Sequence, residues 1–226
     1  MNTKFFITGI GICKEAPSAL QTIKSVKTVI KAEDLALAAT AMALKQAELD
    51  SLENSAVIFG IDNAIDGCKE QFFKGLLQDG PIGASPLLFP YTSPNTITAQ
   101  VTIAFGIKGE NITITSGPLS FLKAVDYALE LLNSGLIQSA IIGGVSEHEA
   151  MVIVAEIINA GKLEKAFSEI ISYEDPIKYT PSSDKIVIRS IEDSFRLLDT
   201  AIGKKDKVVI NAFNEHGYGV GLVIGI

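Results

Sequence analysis

Tryptophan is missing from this 226-residue chain, and cysteine and histidine occur only twice each, as Cys13, Cys68, His148 and His216. Two isolated cysteines are too few for a disulfide framework, and the four groups together are too scattered for a zinc site. No metal and no cofactor is expected. Positive charge is also scarce. The 19 Lys and Arg residues stand against 26 Asp and Glu for a net charge of −7, and the longest basic run is Lys204-Lys205-Asp206-Lys207. Such a balance suits neither the phosphate backbone of a nucleic acid nor a nucleic-acid partner of any kind. No apolar run approaches the ~18 residues of a membrane span, so no membrane partner is expected either. What the chain has in quantity is apolar side chains. They make up 47% of the residues, against 20% charged, with a mean hydropathy of +0.33. A core of good size follows, and a disordered regulator is excluded.

The run Phe5-Phe6-Ile7-Thr8-Gly9-Ile10-Gly11-Ile12 follows Lys4 and precedes Ala16-Pro17-Ser18-Ala19, an arrangement that superficially suits a secretory signal. Two glycines break its apolar stretch, and it reads better as a buried strand, with Gly9 and Gly11 as strand-end glycines that lack the rest of a dinucleotide fingerprint. A cytoplasmic protein with reduced thiols is expected. Residues 15–31 are mixed and Lys-rich, as a surface segment would be. The Ala-, Leu-, Met-, Lys- and Glu-rich segment from Asp34 to Leu49 predicts a helix with Leu35, Ala38, Ala39, Met42 and Gln46 on its packed face.

Ser55 to Gly60 reads as a central strand and Asp62 to Gln78 as a helix weakened by Gly67 and Gly75. Four of the eight prolines (Pro81, Pro86, Pro90 and Pro94) fall within residues 80–94 and predict an irregular segment there. A helix over Thr92–Gly106 and a strand over Ile112–Thr115 follow. Leu119, Leu122, Val125, Leu129 and Leu132 then recur at helical spacing up to Asn133-Ser134-Gly135. Ile137–Gly144 and Met151–Ile158 read as strands, and residues 159–186 as polar and unpatterned. Ser190–Ile202 predicts a helix. Lys207–Phe213 and Tyr218–Ile226 predict a closing hairpin around Asn214-Glu215-His216-Gly217. Strands alternating with helices imply a layered α/β fold. No internal repeat or linker is legible, so residues 1–226 are expected to form a single domain.

From Ser85 to Glu147 the order of motifs becomes informative. Ser85-Pro86-Leu87-Leu88-Phe89-Pro90-Tyr91-Thr92-Ser93-Pro94-Asn95 is followed by Ile107-Lys108-Gly109, a strand, a turn, a helix, Gly135 and Ile141-Ile142-Gly143-Gly144. This succession resembles the N-terminal half of a β-ketoacyl synthase of the thiolase superfamily. Ile7-Thr8-Gly9-Ile10-Gly11 is similar to that family's first strand. The segment Asn211-Ala212-Phe213-Asn214-Glu215-His216-Gly217 resembles its glycine-rich Asn-Ser-Phe-Gly-Phe-Gly-Gly turn. The resemblance implies an α/β, thiolase-like layered α-β-α fold, truncated to about one half plus a closing β-hairpin.

In that family a cysteine nucleophile stands in a strand-to-helix turn, where the helix N-terminus lowers its pKa and steadies an oxyanion. Counted back from Gly135 with the family's spacing, its place falls on Pro118, which has neither a nucleophilic atom nor an N–H. The local expectation is a helix capped by Ser116 or Gly117 with Pro118 in the first turn, a vestigial nucleophile turn of Ser116, Gly117, Pro118 and Ser120. The family's histidines come from a C-terminal half that this chain largely lacks. The resemblance also implies structural roles for Asn95, Gly143, Gly144, Asn211, Phe213 and Gly217. It puts Glu215 where the family has an apolar gating residue.

Three functional readings arise. The first is a non-catalytic ketosynthase-like subunit or accessory factor in fatty-acid or polyketide-type biosynthesis. It would pair as a homodimer or with a full-length ketosynthase, with an acyl carrier protein as a further partner. The second is a serine-dependent hydrolase or acyltransferase using Ser116 or Ser120, which needs His148 or His216 as a base. The third is an acyl-chain or small-molecule binding protein. Cys13 and Cys68 are small buried apolar residues first and candidate nucleophiles second. Glu147-His148-Glu149 is the only compact titratable cluster; on a strand Glu147 and Glu149 would share a face, with His148 opposite.

Overall fold

The computed structural model describes residues 4–15, 30–157, 166–172, 185–204 and 206–225. Along the chain run β1 (Phe5–Cys13), α1 (Lys31–Ala47), β2 (Ser55–Ile61), α2 (Asp66–Asp79), α3 (Asn95–Phe105), β3 (Asn111–Ile114) and α4 (Ser120–Ser134). They are followed by β4 (Ser139–Val145), β5 (Ala150–Ile157), β6 (Ser168–Ser172), β7 (Lys185–Val187), α5 (Ile191–Ala201), β8 (Val208–Phe213) and β9 (Gly219–Gly225). The nine strands form one mixed sheet in the order β3-β2-β4-β5-β1-β6-β9-β8-β7. Side chains alternate across it, as the two-residue period of a strand requires. Ile58, Ile142 and Ile153 join Phe121, Leu122, Phe195 and Leu198 of α4 and α5 in one apolar layer. Val57, Phe59, Ile141 and Val152 join Leu35, Ala39, Ile97 and Val101 of α1 and α3 in the other. The layered α-β-α class expected from the sequence is the observed one.

Gly9 and Gly11 lie inside β1 and not at its end. A Cβ on Gly11 would stand 1.9 Å from the Ala39 carbonyl oxygen, and one on Gly9 would stand 2.1 Å from that of Ala43. The glycines therefore let α1 settle directly on the strand, and the helix answers with a face of small residues, Ala36, Ala39, Ala43 and Ala47. Met42 is excluded from that close contact and is 46% exposed, and Gln46 is exposed with its side-chain oxygen accepting from the Ile10 N–H at 3.0 Å. The expected packed face is thus corrected at those two positions.

The proline-rich stretch contains two short 3-10 turns, Gly80–Ile82 and Phe89–Thr92, each with proline near its start, where the fixed φ is suitable and no donor is needed. The regular turns arise within a segment expected to hold none. Around them α2 buries only Cys68, and Leu77, Ile82 and Leu87 are 85%, 95% and 82% exposed. Residues 15–31 fall mostly outside the described residues, as do parts of 159–186. Within the latter, β6 and the start of β7 occupy sequence read as unpatterned. Among the described residues, no helix is long and apolar enough to cross a membrane.

Candidate functional site

β2 and β4 run parallel, and their carboxyl ends meet the turn that joins β3 to α4. In open α/β sheets, binding crevices form at this end of the strands. Gly60 permits the approach: a Cβ there would lie 2.3 Å from the Ser120 backbone. Gly144, its ladder partner on β4, faces the Phe121 and Phe195 rings, which meet edge to face with centroids 5.2 Å apart. The helix N-terminus is therefore held against the sheet by two glycines that leave space and two aromatic rings that fill it.

The turn is built differently from the expectation. Helix α4 begins at Ser120 with Leu119 at the N-cap, so Pro118 precedes the cap and neither Ser116 nor Gly117 caps the helix. Gly117 adopts φ +58°, a left-handed conformation open to glycine at no steric cost. The organising side chain is Ser120. Its buried hydroxyl donates to the Gly117 carbonyl at 2.7 Å and accepts from the Ser116 N–H at 2.7 Å. The Ser194 hydroxyl of α5 donates to the Pro118 carbonyl at 3.1 Å, fastening the turn to a helix 76 residues away in sequence. Nothing in the local pattern around Ser194 signals that contact.

The two histidines stand elsewhere. His148 lies in the turn between β4 and β5, where the Ser146 hydroxyl accepts from its N–H at 3.2 Å. His216 lies in the β8–β9 turn, its N–H donating to the Asn214 side chain at 3.0 Å. Neither imidazole is hydrogen-bonded to Ser116 or Ser120 among the described residues. Glu147, His148 and Glu149 occupy a turn and not a strand, which corrects the shared-face expectation; Glu149 turns to Lys14 at 3.3 Å. Among the described residues, no group of three His, Cys, Asp or Glu side chains is placed to hold a metal.

Of the remaining positions that the resemblance singles out, Asn95 is exposed at the start of α3, where its side-chain oxygen accepts from the Ser93 hydroxyl at 2.5 Å. Asn211 and Phe213 are buried on β8. Gly217 takes φ +82° in the closing turn, where Asn214 accepts from two backbone N–H groups. Glu215 is exposed in that turn. The thiols of Cys13 and Cys68 are both raised by burial.

At the same end of the sheet, Asp62 and Glu192 titrate in opposite directions. Burial raises the Asp62 carboxyl, and the charges of Asp66 and Glu192 raise it further. Burial would raise Glu192 too, but hydrogen bonds from Ser146, its own amide and Ser190, with the Arg196 charge, bring it below the ordinary range. The Ser146 proton is shared, since its hydroxyl also reaches the Glu149 carbonyl at 3.2 Å. A carboxyl raised on folding stabilises only while protonated, and that contribution is lost as pH rises through its folded value; a lowered one loses its contribution as pH falls. Asp62→Asn is therefore expected to raise the urea midpoint at pH 7, with the gain shrinking toward acid pH. Glu192→Gln should lower the midpoint at pH 7. An Asp62→Asn chain no more stable than wild type at pH 7 contradicts the account.

Residues 18–169 match the N-terminal domain of β-ketoacyl synthases. The chain belongs to that family. Within the β-ketoacyl synthases it is 30% identical over 125 residues to 3-oxoacyl-[acyl-carrier-protein] synthase 2 of Staphylococcus aureus, covering 54% of this chain and 31% of that protein. The Vibrio cholerae enzyme of the same name is 28% identical over 115 residues, covering 49% of this chain and 28% of its own length. The match thus spans under a third of these relatives. A β-ketoacyl synthase from Burkholderia phymatum superposes with TM-score 0.71 at 11% identity, over 99% of each chain. A ketosynthase in complex with its chain length factor from Xenorhabdus doucetiae superposes with TM-score 0.66 at 12% identity, also over 99% of each. At such identities the likeness is one of fold.

Proposed function

We propose that this β-ketoacyl synthase relative is a non-catalytic subunit or accessory factor in fatty-acid or polyketide-type biosynthesis. The reading rests on the alignment that the resemblance implies, which puts Pro118 at the family's nucleophile place, and one observation supports it: the Ser120 hydroxyl of the same turn is committed to the backbone. A serine nucleophile needs a base to take its proton. Ser120 gives that proton to a carbonyl, and no imidazole is bonded to it among the described residues, which disfavours the hydrolase or acyltransferase alternative.

Residues 1–226 act as one cytoplasmic domain that binds no cofactor. The chain pairs with itself or with a full-length ketosynthase, and an acyl carrier protein is a further partner. Two features support a subunit. Leu77, Ile82 and Leu87 leave an apolar surface of the kind that association covers. Among the described residues, strand β3 ends the sheet, bonded only to β2. Because the Val57 N–H donates to the Glu110 carbonyl at 2.8 Å and Val57 pairs with Asn111, the Thr113 N–H points away from β2 to the open edge.

Incubation with an acyl-carrier-protein thioester is expected to leave the chain's mass unchanged. Sedimentation at micromolar concentration should show a dimer, alone or with a co-purified ketosynthase. Thr113→Pro, which removes an outward donor and no bond to β2, should split it. A stable acyl adduct on Ser116, Ser120, Cys13 or Cys68 overturns the non-catalytic reading, and a monomer under both conditions overturns the subunit reading.

A further inference from the structure

The sheet contains a repeat that the sequence hides, and one copy is incomplete. In the first copy β1 is antiparallel to β5, β5 antiparallel to β4, β4 parallel to β2 and β2 parallel to β3. In the second, β6 is antiparallel to β9, β9 antiparallel to β8 and β8 parallel to β7. Strand β7 thus stands where β2 stands. But β2 is flanked by β3, while among the described residues no strand flanks β7. The connections explain the difference. Between β2 and β4 the chain makes three helices and a strand, whereas between β7 and β8 it makes the single helix α5.

We propose that the open edge of β7 takes up an extended acidic segment of a partner protein, which adds the missing strand. Three observations support it independently of the subunit reading, which concerns the opposite end of the sheet. The first is the backbone. The Ile188 N–H donates to the Phe213 carbonyl at 2.8 Å, and Val187 pairs with Phe213 in a parallel ladder. In that geometry Val187 turns its own N–H and C=O away from β8, toward the open edge. The second is apolar surface: Ile186 and Val187 are 37% and 50% exposed, where a strand would be covered.

The third is charge. The chain contains two arginines, Arg189 and Arg196. Both line the groove between β7 and α5, together with Val187 and Leu197. Asp193 also lines it but is already engaged. One of its oxygens holds Arg196 at 2.9 Å, and the other accepts from the Arg189 and Ser190 N–H groups at the start of α5. The exposed Arg189 guanidinium bonds no other described residue. In a chain of net charge −7, the planar donors best suited to carboxylates are gathered beside the edge at which the second copy lacks its counterpart of β3 among the described residues. Main-chain bonds would give affinity and the arginines the choice of partner, as in strand addition generally.

The probe is an N-acetylated, C-amidated octapeptide alternating Val or Ile with Glu, added to the full chain. It should bind and slow exchange of the Val187 amide, which in the free chain exchanges far faster than the Ile188 amide. Val187→Pro removes the outward donor without touching the Ile188 bond and should abolish binding. Arg189→Glu, which leaves the edge intact, should weaken it about tenfold. A peptide with Lys in place of Glu should not compete. Three results overturn the proposal: equal binding of the acidic and basic peptides, bound peptide with no protection at Val187, or no binding at millimolar peptide. Self-association of the chain that Val187→Pro removes would show that a second copy occupies the edge, and overturns it as well.

Discussion

Pro118→Cys is expected to introduce a thiol that iodoacetamide alkylates at least about tenfold faster at pH 7 than Cys13 or Cys68, since each pKa unit is a tenfold change in thiolate. The native thiols are handicapped twice. Both are buried, and burial raises both above the ordinary thiol value. The 116–118 turn is only half-buried and lies immediately before the N-terminus of the 15-residue helix α4, whose amide dipoles favour an anion. The fastening of this turn by Ser120 and Ser194 uses backbone atoms of residues 116–118, and those remain in the variant. Condensation should still be absent, because neither described histidine reaches the turn. If mass-spectrometric labelling shows the new thiol reacting no faster than Cys13, or titration puts it near ~8.5, residue 118 does not stand at the family's nucleophile place.

Gly144→Leu is expected to cost about 3 kcal/mol or more of folding stability. A Cβ at residue 144 would stand 2.3 Å from the Phe195 ring and 2.7 Å from Cγ of Phe121. Both rings are essentially solvent-free, and they brace each other between β4 and the two helices, so neither has room to retreat. The loss should appear as a reduced denaturant midpoint at unchanged slope. Because Phe121 and Phe195 carry α4 and α5, the Ser194–Pro118 bond should loosen with them. Gly135→Ala is the matched control. Gly135 has φ +75° and nothing within 4 Å of a Cβ, so its substitution meets only the left-handed backbone strain and should cost about 1 kcal/mol. Equal losses at the two positions would show that the rings yield.

The helices, the strands other than β6 and β7, and the family were legible in the sequence because they depend on residues near one another. Ser55–Ile61 and Ser139–Val145 are short apolar runs closed by polar residues, and α4 displays its Leu and Val periodicity openly. The order of the Pro-rich segment, the strand, the turn and Gly143-Gly144 carried the family resemblance. The capping box that starts α5, Ser190 with Asp193 three positions on, is a local feature of the same kind, though the expectation of that helix rests on its spacing alone.

What the tertiary structure decided are the relations between residues far apart in the chain. That Gly9 and Gly11 serve the approach of α1, that Met42 therefore turns outward, and that Ser194 holds the Pro118 carbonyl all depend on which elements lie side by side. Local propensity carries no record of neighbours 30 to 80 residues away. The opposed titration of Asp62 and Glu192 arises in the same way, from burial and from charges that meet only across the end of the sheet. The repeat of β1–β5 in β6–β9 was hidden for a related reason. Strand pairing is made by main-chain N–H and C=O groups that every residue but proline possesses, so an order of strands recurs without any recurrence of side chains.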